Sequence, residues 1–213
     1  MMNLWQLTIH GGIIMIPIIF CGLLAISIII ERIISLHQSE INSEYFLEKV
    51  EKTLKSEKIK EVVNLCDTSP GVTPAIIKAG ILKSDRSIDE VKEAIKEEAE
   101  YQVLSLEKYL GILATIATIA PLLGFLGTSA GFIKTFMIID TKGAAVTMHD
   151  LSKGMWEALL TTVAGLSVAI PSYIGYNYLV NWVHKIIAEM ERASSKIIDV
   201  LIFLRANEET EKL

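Results

Sequence analysis

Three stretches of this chain contain no Asp, Glu, Lys or Arg: residues 1–30, 109–133 and 158–184. They run for 30, 25 and 27 residues, and roughly 20 apolar residues in a helix cross the hydrocarbon core of a bilayer. A soluble domain intersperses its charges; here they are segregated. Residues 31–108 hold 12 of the 20 Lys+Arg and 16 of the 25 Asp+Glu. The pattern predicts an all-α integral membrane protein, its three transmembrane helices extended by a cytoplasmic helical bundle, and excludes an ordinary soluble enzyme. The polar domain is acidic and no basic run exceeds two residues, so nucleic acid is not an expected partner.

Charge also sets the orientation. No Lys or Arg precedes the first apolar stretch, and no small-residue cleavage site follows it, so it reads as an uncleaved anchor and not a signal peptide. It stops at Glu31-Arg32. By the positive-inside rule Arg32 lies in the cytoplasm, as does the tail that carries Lys185, Arg192, Lys196, Arg205 and Lys212. The expected plan is a short outer amino terminus (1–11), transmembrane helix 1 (12–31), a cytoplasmic helical domain (32–108), transmembrane helix 2 (109–137), an outer loop (138–153), transmembrane helix 3 (154–183) and a cytoplasmic carboxyl-terminal helix (184–213). Trp156 and Trp182, ~39 Å apart along a helix, match the headgroup spacing where Trp prefers to lie.

Within the polar domain, Thr68-Ser-Pro-Gly-Val-Thr-Pro74 reads as a helix breaker. Ser87-Ile-Asp-Glu90 fits a capping box. From there no Gly or Pro intervenes before Gly111, which predicts one helix running without a break into the second span. Cys21 and Cys66 lie in different parts of the plan and read as buried, reduced thiols. His10, His37, His149 and His184 are dispersed, with no nucleophile or acid partner at useful spacing; none is read as a catalyst.

The chemistry concentrates in spans two and three. Gly124, Thr128, Gly131 and Thr135 share one helical face, with Gly127 beside them. Such a stripe lets backbones approach and offers hydroxyls across the gap, which fits plain helix packing as well as transport. Pro121 removes one backbone donor, a loss membrane helices tolerate. Between Lys153 and Lys185 the one Asp, Glu, Lys or Arg is Glu157. Thr161 follows one turn later, with Thr162 adjacent and Gly165 continuing the stripe. A carboxylate in a span costs ~2.5–3.5 kcal/mol or more to insert and usually marks an ion path. The alternative is a first-turn carboxylate favoured by the helix dipole. If Lys134 and Gly154 lie at equal depth, residues whose numbers sum to about 288 are level. Glu157 is then level with Gly131, and Thr128 with Leu160 and Thr161, which favours a polar path.

At these residues the chain resembles the MotA/TolQ/ExbB proton-channel family, and within it the ExbB/TolQ branch. Ala120-Pro-Leu-Leu-Gly-Phe-Leu-Gly-Thr128 with Ala130-Gly131 is similar to the family's second-span signature. Gly154-Met-Trp-Glu157-Ala-Leu-Leu-Thr-Thr162, then Gly165-Leu, Ala169-Ile-Pro171 and Tyr176-Asn177, is similar to its third. Gly11-Gly12 through Pro17 to Glu31-Arg32 resembles the first span of ExbB-type members. The resemblance implies a pentameric ring in the inner membrane of Gram-negative bacteria, surrounding an ExbD-type (or TolR-type) single-span partner and passing work to a TonB-type (or TolA-type) protein. Protons would be the coupling ion, with no cofactor or metal. Motif matching places the proton pathway on Glu157, Thr128 and Thr162. Thr161 adds a hydroxyl where relatives often have a small residue, and Ser129-Ala130 replaces a bulkier pair. Pro121, Gly124, Gly127, Gly131, Gly165 and Pro171 are the packing or pore-lining set.

The expected function is therefore a proton-driven ExbB-type motor subunit serving outer-membrane uptake. A TolQ-type subunit of the Tol-Pal envelope system is the nearest rival, and a non-conducting scaffold the rival from another class. Arg32 and Lys185, flanking spans at the cytoplasmic face, either snorkel to the headgroups or contact membrane phospholipid.

Overall fold

The computed structural model describes residues 12–39, 43–54 and 59–211. The amino-terminal segment 1–11, His10 and Lys212 lie outside these residues. Every regular element described is helical: α1 (Met15–Ser39), α2 (Ser43–Leu54), α3 (Ile59–Thr68), α4 (Val72–Leu82), α5 (Ile88–Leu106), α6 (Leu110–Lys142), a 3₁₀ turn (Gly143–Ala145) and α7 (Met148–Glu211). Three helical stretches among them, one in each predicted span, are long and apolar enough to cross a membrane. The chain forms two compact units. Among the described residues, one comprises 12–31 with Tyr109–Leu179, the other those of 32–108 with 180–211.

Along the α6–α7 seam of the first unit small residues are inside, while many large apolar side chains of α6 face outward. Gly124, Gly127, Gly131 and Thr135 of α6 are buried, whereas Phe125 is 70% and Phe136 66% exposed. That inversion of a water-soluble core suits a surface facing lipid and an interior held by close backbone approach. A Cβ on Gly165 would lie 2.5 Å from the Ala120 carbonyl oxygen, and one on Gly124 3.1 Å from the Thr161 carbonyl oxygen. Helix α1 packs on α7 by the same device, Gly22 against Val168 and Gly175 against Ile29.

The second unit has a conventional apolar core that includes Val50, Val62, Ile76, Ile77, Ile81, Val91, Met190 and Ile197. Gly80 lets α4 approach α5, where a Cβ would meet Ile95 Cδ1 at 2.7 Å. The Ser87 cap forms as expected: its hydroxyl oxygen accepts from the Glu90 amide at 3.3 Å and donates to the Glu90 carboxylate at 3.0 Å. These bonds, with Arg86 beside them, hold the Glu90 carboxyl below its ordinary range. At the far end of α7, the Arg205 guanidinium donates to the carbonyls of Ser84 (2.5 Å) and Arg86, closing the α4–α5 turn.

Two expectations change. The breaker is shorter than Thr68–Pro74: Thr68 ends α3, and Val72, Thr73 and Pro74 already form the first turn of α4. Proline is accepted there because first-turn amides have no intrahelical partner. The helix expected to run unbroken into the second span stops at Leu106 and restarts at Leu110, across Tyr109 in the left-handed region (φ 66°). Leu106 and Leu110 would share a face of a continuous helix, yet each is buried in a different unit. Between α6 and α7 only Gly143–Thr147 lies outside an α-helix. Thr147 and Asp150 cap α7 reciprocally, with the Asp150 amide on Thr147 Oγ1 and the Thr147 amide on Asp150 Oδ2, both at 3.2 Å. Lys142 (2.7 Å), then the Thr147 bonds, hold the Asp150 carboxyl well below the usual carboxylate range. Arg32, just past the first charge-free stretch, is 3% exposed and donates to the Ser105 carbonyl at 3.1 Å.

Candidate functional site

Glu157 belongs to the third turn of α7, since that helix begins at Met148. The unpaired amides that would favour a first-turn carboxylate lie well before it, so the dipole explanation does not apply. Its side chain is 21% exposed and takes a 2.5 Å ion pair from the Lys134 ammonium of α6. On another side it meets Gly12, where any Cβ would collide with Glu157 Oε1. Gly12 has φ 70° and its carbonyl accepts the Met15 amide at 3.1 Å as α1 begins. Its lack of a side chain thus leaves room for the carboxylate.

One to two turns further along α7 lie the threonines. Thr161 is 1% exposed and turned into the space above Gly127, its hydroxyl bonded to the Ala158 carbonyl at 2.8 Å. Thr128 and Thr162 meet hydroxyl to hydroxyl between α6 and α7. Around them, Gly124 O lies 3.2 Å from each hydroxyl and Ala158 O 3.2 Å from Thr128 Oγ1. Each hydroxyl carries one proton, so one threonine donates to its partner while the other donates to a carbonyl. The pair has two polarities within one heavy-atom geometry, which is what a relay of hydrogen bonds requires.

The contacts Thr128–Thr162, Gly131–Ala158 and Gly127–Thr161 agree with the depth register anticipated from the sequence. The structure therefore brings Glu157, Thr161, Thr162 and Thr128 together on the α6–α7 seam. Gly124, Gly127, Gly131 and Gly165 build the seam by allowing the helices to close. Pro121 and Pro171 lie inside α6 and α7. Lys185 is exposed on the part of α7 assigned to the second unit. Sequence reasoning used Lys134 only as a depth marker and missed it as a partner. The numbers 134 and 157 sum to within one turn of the level rule, and that was the signal available. No cluster of three or more His, Cys, Asp or Glu suited to a metal occurs among the described residues.

The profile of the MotA/TolQ/ExbB proton channel family matches residues 68–192, over half of the chain and including both motif-bearing helices. The chain belongs to this family. It is 25% identical over 197 residues to the biopolymer transport protein exbB1 of Vibrio cholerae, covering 90% of this chain and 85% of that one. It is 42% identical over 99 residues to the biopolymer transport protein ExbB of Aquifex aeolicus, 46% of this chain and 66% of that one. It is 34% identical over 120 residues to the Tol-Pal system protein TolQ of Haemophilus influenzae, but there the match covers 56% of this chain and 47% of that protein. With its three apolar helices, this MotA/TolQ/ExbB member is a membrane protein of a transport family and not of an enzyme class.

Proposed function

We propose that this chain is an ExbB-type subunit of a proton-driven motor in a bacterial inner membrane, amino terminus outside and carboxyl terminus in the cytoplasm. The observation that carries the reading is the Glu157 carboxylate, paired with Lys134 across the α6–α7 seam and less than two turns from the Thr162 hydroxyl that meets Thr128. A carboxylate can take and release a proton, and hydroxyls can pass hydrogen bonds onward; neither needs a cofactor. A single charge crossing the membrane gains ~2.3 kcal/mol per 100 mV, so a few protons supply on the order of 10 kcal/mol, comparable to the stability of a small domain. The ExbB-named relative aligned over most of both chains supports this role above that of TolQ, whose match spans about half of each.

The same reading gives the chain a homopentameric ring, an ExbD-type partner in its centre and a TonB-type protein to which work passes. Exposed Tyr101 and Leu104 on α5 leave apolar surface for a second copy to cover. Lys185 stays the candidate for phospholipid contact; Arg32 is already engaged within its own unit.

The test is proton flux into liposomes holding the chain with its ExbD-type partner under an imposed pH gradient. Flux should require the partner and should be lost in Glu157→Gln while the ring still assembles. Equal flux from Glu157→Gln, or no flux from a correctly assembled wild-type ring, would favour the non-conducting scaffold.

A further inference from the structure

Glu157 is not a bare carboxylate awaiting a proton, because Lys134 already holds it at 2.5 Å. The two ends of this pair differ. Glu157 is 21% exposed and confined by Gly12, whereas Lys134 is 57% exposed on a flexible four-carbon stem. Among the described residues, the other titratable acidic and basic side chains at this end of the hairpin are Asp140 and Lys142 on α6 and His149, Asp150 and Lys153 on α7. From α6 the group facing Glu157 is Lys134; Gly12, ahead of α1, brings no charge. On α7, Lys153 stands one turn earlier, and Asp150 beyond it is engaged by Lys142.

We propose that Lys134 is an intramolecular counter-ion that competes with protons for the Glu157 carboxylate, so that loading Glu157 and releasing the Lys134 ammonium are one event. The inference rests on the reading of Glu157 as the proton carrier. The balance is simple. A proton from the outer solution binds a carboxylate oxygen, the acid formed is neutral, and the ammonium, unchanged in charge, loses its partner and swings to solvent. When the proton moves on, the carboxylate recaptures the ammonium. Lys134 is thus a positioning residue: it restrains the unloaded carboxylate and makes loading a competition between two cations.

The experiment uses the same proteoliposomes, with flux measured as a function of external pH for wild type, Lys134→Met, Lys134→Arg and Glu157→Gln. Removing a nearby cation favours protonation, discounted here for the solvent around Lys134. Half-maximal flux in Lys134→Met should move to higher pH, and Lys134→Arg should return it to the wild-type position. An unmoved Lys134→Met profile would overturn the proposal. So would a shift that Lys134→Arg fails to reverse, since packing and not charge would then be responsible. Lys134→Gln repeats the charge removal should the methionine variant fail to assemble. Retained flux in Glu157→Gln would sink the proton-carrier reading and this proposal with it. Lost flux there, with an unmoved Lys134→Met, would sink this proposal alone.

Discussion

The Thr128 and Thr162 hydroxyls hydrogen-bond to each other across the α6–α7 seam, and both have the Gly124 carbonyl within reach. Valine at either position keeps the shape and removes the proton that makes the arrangement reversible. Each single substitution should lower proton flux, and the double variant should lose little more than the worse single. In stability the pair should show a coupling of about 0.6 kcal/mol, the average for hydrogen bonds between membrane helices. A double-mutant cycle on thermal unfolding in detergent measures it, and strictly additive losses would contradict a shared bond.

Gly165 and Gly111 should respond in opposite ways to alanine. At Gly165 the new Cβ would lie 2.5 Å from the Ala120 carbonyl oxygen and 3.1 Å from Gly124 Cα. These neighbours are backbone and cannot rotate aside. Gly165→Ala should cost about 1–3 kcal/mol, as overpacking does, and lower the unfolding midpoint. At Gly111 nothing lies within 4 Å, and alanine is the better helix former by up to ~1 kcal/mol. Gly111→Ala should leave the midpoint unchanged or raise it.

Cys66 is buried in the second unit, and burial, followed by the neighbouring Asp67 charge, pushes its thiol up to about 11. The thiolate is the reactive form, so maleimide labelling near pH 7 should be slow until the unit is denatured. The raised value has a stability consequence. The native state keeps its proton longer than an unfolded thiol near 9, so this contribution is complete below pH 9 and is lost as pH rises toward 11. Cys66→Ala should flatten the alkaline limb of the stability profile over that window.

Arg205 joins the end of α7 to the α4–α5 turn by donating to the Ser84 and Arg86 carbonyls. Charged donors of this kind contribute roughly 1.5–3 kcal/mol each when well made, less here because Arg86 is exposed. Arg205→Ala should therefore expose the Lys83–Arg86 turn to limited proteolysis before any other site in the second unit. Resistance equal to wild type would show the clamp to be dispensable.

Much of this protein was legible as a string of letters. Charge-free stretches require helices because backbone polar groups in a bilayer must be satisfied locally, and Ser87 and Glu90 announce a cap at fixed spacing. The glycine and threonine stripe named its own partners, since helices joined by a short turn run antiparallel and their register follows from residue numbers. Other features depended on what the chain meets far along its length. The break at Tyr109 has no glycine or proline to mark it, although the backbone there turns left-handed. Arg32 finds its acceptor at Ser105, 73 residues away. The Glu157 carboxylate and the Lys134 ammonium are separated by 23 residues, and Gly12 closes over them from a third segment. A sequence dictates periodicity and solvent preference because these are local. Which charge neutralises which is settled only when the helices close, because an ion pair is fixed by distance in space.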